Sequence, residues 1–137
     1  MKLIGFNFTK TSVEKLSENL NNVKVNTNMD IKDISKTESD FLNKTEDLLK
    51  LDFTYAVNYD TDIAKIELAG RVFFSLDPQT SKKVLKEWKD KKVHEEIKLP
   101  LINVILRKSN VKALQLEDEM GLPLHIPLPT LKKEKKE

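Results

Sequence analysis

From Leu49 to Tyr59 every second residue is large and apolar: Leu49, Leu51, Phe53, Tyr55, Val57 and Tyr59 alternate with Lys50, Asp52, Thr54, Ala56 and Asn58. A period of two is that of a β-strand with one buried face, and no helix can gather that set on one side. After the turn-like run Asp60-Thr61-Asp62 the alternation resumes. Ile66, Leu68, Val72, Phe74 and Leu76 fall on one face, and Lys65, Glu67, Ala69, Arg71 and Phe73 on the other. The two runs predict an antiparallel hairpin with Phe53, Tyr55, Val57, Ile66, Leu68, Val72 and Phe74 turned toward a core. Gly70, in the middle of the second run, predicts either a bulge or the close approach of another backbone.

The rest of the chain can be placed around that hairpin. Val23, Val25, Thr27, Met29 and Ile31 alternate with polar residues, and Ile34 then falls out of phase, which predicts a strand interrupted by a bulge. Ile4, Phe6 and Phe8 predict a shorter first strand, while Thr11 to Asn22 fits either a second half-strand or a helical turn. Beyond Leu76 the period becomes helical. Asp77-Pro78 supplies an N-cap acceptor and a proline at the first helical position, so a short helix is predicted from Pro78 to about Lys92. A longer helix is predicted from about Leu99, with Pro100 in its first turn, to Met120, where Gly121 can take the left-handed conformation. Leu101, Ile102, Ile105, Leu106, Ala113, Leu116 and Met120 share one broad arc of that helix; Val104, Val111 and Leu114 form a second, nearly opposite stripe. After Gly121 the prolines at 123, 127 and 129 exclude helix and predict an extended apolar arm. The expectation is a single α+β domain over residues 1–131, a four-stranded antiparallel meander followed by two helices on one face, with a charged disordered tail at 132–137.

Several kinds of function find no support in these residues. The 24 basic and 22 acidic side chains leave a net charge of +2, too near balance for phosphate neutralisation to be the main task. The chain has no cysteine, and Gly5, Gly70 and Gly121 are isolated, so no thiolate site and no phosphate-cradling loop can be assembled. The histidines, His94 and His125, have no ligand spacing; they read as a polar linker histidine and a surface or interface histidine. Glu117-Asp118-Glu119 reads as a solvated helix end. No catalytic residue, metal or cofactor is expected, no stretch has membrane-spanning length, and a cytoplasmic address is the default reading.

The order of four strands, a short helix and a long helix resembles the SecB family of protein-export chaperones. Ile102-Asn103-Val104 through Met120-Gly121-Leu122-Pro123-Leu124-His125-Ile126-Pro127 is similar to that family's second helix and the proline-bearing segment after it, and Phe6-Asn7-Phe8-Thr9-Lys10-Thr11 is similar to its first strand. The resemblance implies a cytoplasmic ATP-independent holdase that binds unfolded or preprotein polypeptides in apolar grooves, and it implies a non-enzyme. Candidate groove residues are Phe6, Phe8, Phe73, Trp88, Leu124 and Ile126, the large apolar side chains that the strand phases and the arm leave least committed to a core. The second stripe, Val104, Val111 and Leu114, is the candidate self-association surface of a homodimer that can pair again into a tetramer. The sequence departs from the family where its members present an acidic sheet surface to an export motor: here Lys50, Lys65 and Arg71 stand beside Asp52 and Glu67, and the tail has no zinc ligand. Two rival readings remain beside the holdase. One is a nucleic-acid- or ribosome-associated accessory protein, motivated by the lysines of 82–92 and the tail; the other is the dedicated partner of one specific protein.

Overall fold

A computed structural model describes residues 1–38, 45–60 and 63–131. Four strands, β1 (Lys2–Lys15), β2 (Val25–Thr37), β3 (Asp47–Tyr59) and β4 (Ala64–Leu76), precede two helices, α1 (Pro78–Lys89) and α2 (Glu95–Met120). All strand pairs are antiparallel, and the order across the sheet is β1-β4-β3-β2. The class is therefore α+β as anticipated, but the strands do not follow one another in chain order. Three hairpin-connected strands carry β1 back beside β4, a Greek key read from its C-terminal end. Alternation specifies which face a side chain takes and not which strand lies next to it.

The crossing segment explains how β1 reaches the far edge. Residues 16–24 run past the β3–β4 turn, where the Leu16 and Ser17 N–H groups donate to the Ile63 carbonyl at 2.8 and 3.2 Å. Asp60 N–H donates to the Lys24 carbonyl at 2.9 Å, and the Asp60 carboxylate accepts from Lys24 N–H at 3.1 Å. Nine residues can span roughly 30 Å, ample for three strand spacings of about 4.8 Å. Thr11 to Lys15 is accordingly the second half of a long strand rather than a helical turn.

The bulge anticipated before Ile34 is present, as a register shift between Ile31 and Asp33. At Gly70 the close-approach alternative is the one realised: a Cβ there would stand 2.6 Å from the Phe53 ring and 2.9 Å from the Asn7 carbonyl oxygen. The accompanying register shift lies across the pair in β1, between Phe8 and Lys10.

Both helices cover the same sheet face. One end of the core joins Leu49, Leu51, Val72, Phe74 and Leu76 to Val84, Trp88, Ile97, Leu101 and Ile105; the other joins Tyr55, Tyr59, Ile66 and Leu68 to Ala113, Leu116 and Leu122. At about 1.5 Å per residue, α2 runs about 39 Å, close to the length of the 13-residue strands it lies along.

Asp77 caps α1, its carboxylate accepting from Thr80 N–H at 3.0 Å with Pro78 next in line. The helix ends at Lys89, three residues before the sequence suggests. The larger difference is in α2, which begins at Glu95, so that Pro100 lies inside it. Glu95 and Glu96 suit the positive end of the helix dipole, and buried Ile97 extends the stripe of Leu101 and Ile105 by one more turn. Pro100 is exposed, so the Glu96 carbonyl it cannot serve lies on the wet side of the helix. The charged tail expected at 132–137 lies outside the described residues, as do Thr61 and Asp62 of the expected turn.

Candidate functional site

Grooves open on both flanks of α2, between the helix and the two edge strands. On the β2 side, strand alternation turns Met29 and Ile31 inward, and the register shift after Ile31 marks the end of that apolar pair. Across from them stand Trp88 of α1, Val93 of the α1–α2 connection and Ile102 of α2. Together they line an open, mostly apolar groove of about 460 Å³. Its rim carries Asp30, Lys32, Lys91 and Lys98.

The geometry of that wall follows from how α1 stops. Lys91 adopts φ 59°, a left-handed conformation usually given to glycine, and its N–H donates to the Trp88 carbonyl at 2.8 Å. Lys92 N–H donates to the Glu87 carbonyl at 3.1 Å, completing a Schellman motif. The reversed chain lays the Lys91 ammonium 4.9 Å from the centre of the Trp88 indole. Trp88 Nε1–H points to Asp33 Oδ1 at 3.4 Å, and the ring is 9% exposed. His94 Nδ1 meets the Glu87 carboxylate, tying the first turn of α2 back to α1. His94 is thus a linker histidine held by an acid.

On the β1 side, Phe8, Arg107, Lys108, Val111, Lys112 and Gln115 line a second groove of about 390 Å³. Phe8 does not offer a free ring face: it packs edge-on to Phe6 at 5.1 Å and to Phe53 at 6.4 Å. Phe6 is half-buried below, with Lys108 Nζ 6.0 Å above its ring.

The six candidate groove residues are therefore not gathered in one place. Trp88 lines the β2-side groove and Phe8 the β1-side groove, over Phe6. Phe73 is on the outer face of the sheet, half-buried, between Gly5 and Lys50 in register. Leu124 and Ile126 sit on the arm, Leu124 at 39% exposure. Of the second stripe, Val111 is 53% exposed, and Val104 and Leu114 are half-exposed. Met29, Ile31, Val93 and Ile102 are the groove residues that sequence reading does not single out. Met29 and Ile31 carry a signal in their strand phase, but nothing in it says that their strand is an edge with no neighbour beyond it.

A polar cluster at the other end of α2 also differs from expectation. Glu117 is fully buried, while Asp118 and Glu119 are exposed. Its carboxylate accepts from His125 Nδ1 at 2.8 Å and from His125 N–H at 3.2 Å, and the Tyr59 hydroxyl lies against it. That hydroxyl also reaches the Pro123 carbonyl at 2.7 Å, and its one proton serves one acceptor at a time. His125 Nε2 stands 3.0 Å from Asn110 Oδ1 and 3.2 Å from the Tyr55 hydroxyl. His125 is thus a buried clasp rather than a surface histidine, and the cluster fastens the arm to α2 and β3. The missed signal is on β3: two tyrosines on an inward face bring hydroxyls that need buried partners.

Among the described residues no group of carboxylates and histidines could hold a metal ion, and no helix is long and apolar enough to cross a membrane.

No known protein family matches this chain by sequence, and no curated protein matches it either. Solved structures do match it. One is the SecB-like chaperone Rv1957 of Mycobacterium tuberculosis, solved in complex with a ChAD peptide from the HigA1 antitoxin Rv1956. It superposes with a TM-score of 0.55 at 9% identity, over 98% of this chain and 92% of that one. A likeness at that identity speaks for the fold alone, and four antiparallel strands followed by two helices are what the two share. The fold of this chain is SecB-like.

Proposed function

We propose that this protein is an ATP-independent chaperone that holds extended segments of unfolded or preprotein polypeptides in the groove between α2 and β2. The observation that carries the reading is the groove's apolar lining, Met29, Ile31, Trp88, Val93 and Ile102, left open beside an edge strand. A protein of the same fold has been solved with a peptide bound, which supports a polypeptide as the occupant. Capture needs no bond made or broken. Each client side chain buried there contributes about 1 to 3 kcal/mol at about 25 cal/mol per Å², so several weak anchors along one chain hold it against refolding. An edge strand offers unpaired backbone groups as well, whatever the client's sequence. Service to protein export is the extension of this role that the family resemblance implies.

The test is light scattering from chemically denatured citrate synthase diluted into buffer without nucleotide. A molar excess of the protein suppresses aggregation, and Ile102→Gln, with an unchanged circular dichroism spectrum, loses most of that effect. Unaltered aggregation at tenfold excess sinks the general holdase. A dedicated client is the second reading, favoured by the single antitoxin peptide bound by the structural relative. It predicts no suppression here together with tight capture of one endogenous partner.

A further inference from the structure

We infer that the β2-side groove selects acidic apolar segments, that is, extended polypeptide in which large apolar side chains alternate with aspartate or glutamate. The inference rests on the chaperone reading of that groove and adds the chemistry of its clients. The floor is apolar, but the rim is not neutral. Lys32, Lys91 and Lys98 line it together with the single carboxylate of Asp30. Asp30 and Lys32 stand 3.4 Å apart and offset each other. Asp33, the next carboxylate along β2, faces the Trp88 indole N–H. Lys91 and Lys98 have no carboxylate within 4 Å among the described residues, so their charge is open to an occupant.

The backbone at Lys91 is the second observation. A Schellman turn asks for a left-handed residue, and glycine takes that conformation without strain. Here the position holds a lysine at φ 59°, whose ammonium rests over the Trp88 ring on the groove wall. A conformational cost borne at a rim position points to a use for that ammonium beyond ending the helix. The occupant is polypeptide rather than nucleic acid, because the apolar lining is aliphatic apart from Trp88, which is 9% exposed with its ring covered by Lys91, leaving no open ring for a base to stack on. An extended chain suits the floor: Met29 and Ile31, two apart on one strand face, match the side-chain period of a strand laid alongside.

The test uses three fluorescein-labelled twelve-residue peptides with the same leucine and phenylalanine positions and glutamate, glutamine or lysine between them, read by fluorescence anisotropy on the full chain. The glutamate peptide binds about tenfold more tightly than the glutamine peptide at low salt, and the lysine peptide more weakly than either; the gap closes as sodium chloride rises toward 0.5 M, because rim charges are screened. In Lys91→Gly/Lys98→Gln, with an unchanged circular dichroism spectrum, the ratio of glutamate-peptide to glutamine-peptide affinity falls to about twofold. Equal affinity for the three peptides, or a preference unmoved by the double variant, overturns the inference and leaves the groove reading standing. If no peptide binds, the groove reading itself fails and the inference falls with it. Displacement of the glutamate peptide by a uridine dodecamer at comparable concentration overturns it in favour of a phosphate-binding surface.

Discussion

Tyr55 and Tyr59 are the chain's two tyrosines, and both point their hydroxyls into the polar cluster around Glu117. Burial, and then the charge of Glu117, push the Tyr55 phenol up to about 12. Burial also raises Tyr59, reinforced by its hydrogen bond to Glu117 and by the charges of Glu117 and Tyr55. An unfolded phenol releases its proton near pH 10, so between about pH 10 and 12 the folded chain holds more protons than the unfolded one. The stability these two groups contribute is complete below about pH 10 and is lost as pH rises through their folded values. Urea unfolding followed from pH 8 to 11.5 should therefore show a midpoint that falls above pH 10. In Tyr55→Phe/Tyr59→Phe that fall should flatten, although the double variant starts lower, because acceptors in a buried site lose their donors at about 1 to 3 kcal/mol each. An unchanged alkaline slope in the double variant would remove the cluster as its cause. At the acid end the counterpart is weak: Lys10 first and then Lys65 hold Glu67 down to about 2, but both lysines are largely exposed and water screens most of the gain.

The arm is an element without secondary structure of its own, and side chains rather than backbone pairing fix its path. Gly121 takes φ 64° to end α2, Leu122 drops into the core, and His125 closes on Glu117 and Asn110. His125→Ala removes that clasp and leaves Glu117 buried beside an empty site. Limited proteolysis should then cut after Leu124 at least tenfold faster than in the parent while the β3–β4 hairpin keeps its amide protection; equal cleavage rates would show that Leu122 alone anchors the arm. The sequence makes some of this element legible and hides the rest. Prolines at 123, 127 and 129 exclude helix, and Gly121 marks the stop, because both act through local backbone geometry. Local rules likewise locate the Asp77-Pro78 cap, the inward face of β3 and β4, and the bulge before Ile34. The burial of Glu117 is not local: it depends on Tyr59, 58 residues away in sequence, and on the arm's return. The start of α2 is hidden for a similar reason, since the core contact of Ile97 outweighs the proline three residues on. The β2-side groove needs the strand order as well, and no alternation pattern supplies that.

At the scale of the whole molecule, α2 has one face committed and one left over. Ile97, Leu101, Ile105, Ala113 and Leu116 lie in the core against the sheet. Val104, Val111 and Leu114 face the other way, and the arm does not close over Val111, because it docks on the flank of Asn110 and Glu117. An apolar stripe on a long exposed helix is covered most simply by a second copy across a two-fold axis. Antiparallel pairing centred between Val111 and Leu114 sets Val111 against the partner's Leu114, and the same spacing sets Arg107 against the partner's Asp118, so charge and apolar pattern agree on one register. That register would also cover the β1-side groove, whose lining includes Val111, and would leave the β2-side groove, on the far flank of each helix, uncovered. Sedimentation equilibrium at tens of micromolar should give twice the chain mass. Val111→Glu, which places a charge in the desolvated seam, should give the monomer with its helix content intact, whereas Lys83→Glu on the exposed side of α1 should leave the dimer unchanged. A monomer in the parent protein at that concentration would show that the stripe is solvated, and a dimer that survives Val111→Glu would move the interface elsewhere, with the exposed Leu3 and Ile4 of edge strand β1 the next place to look.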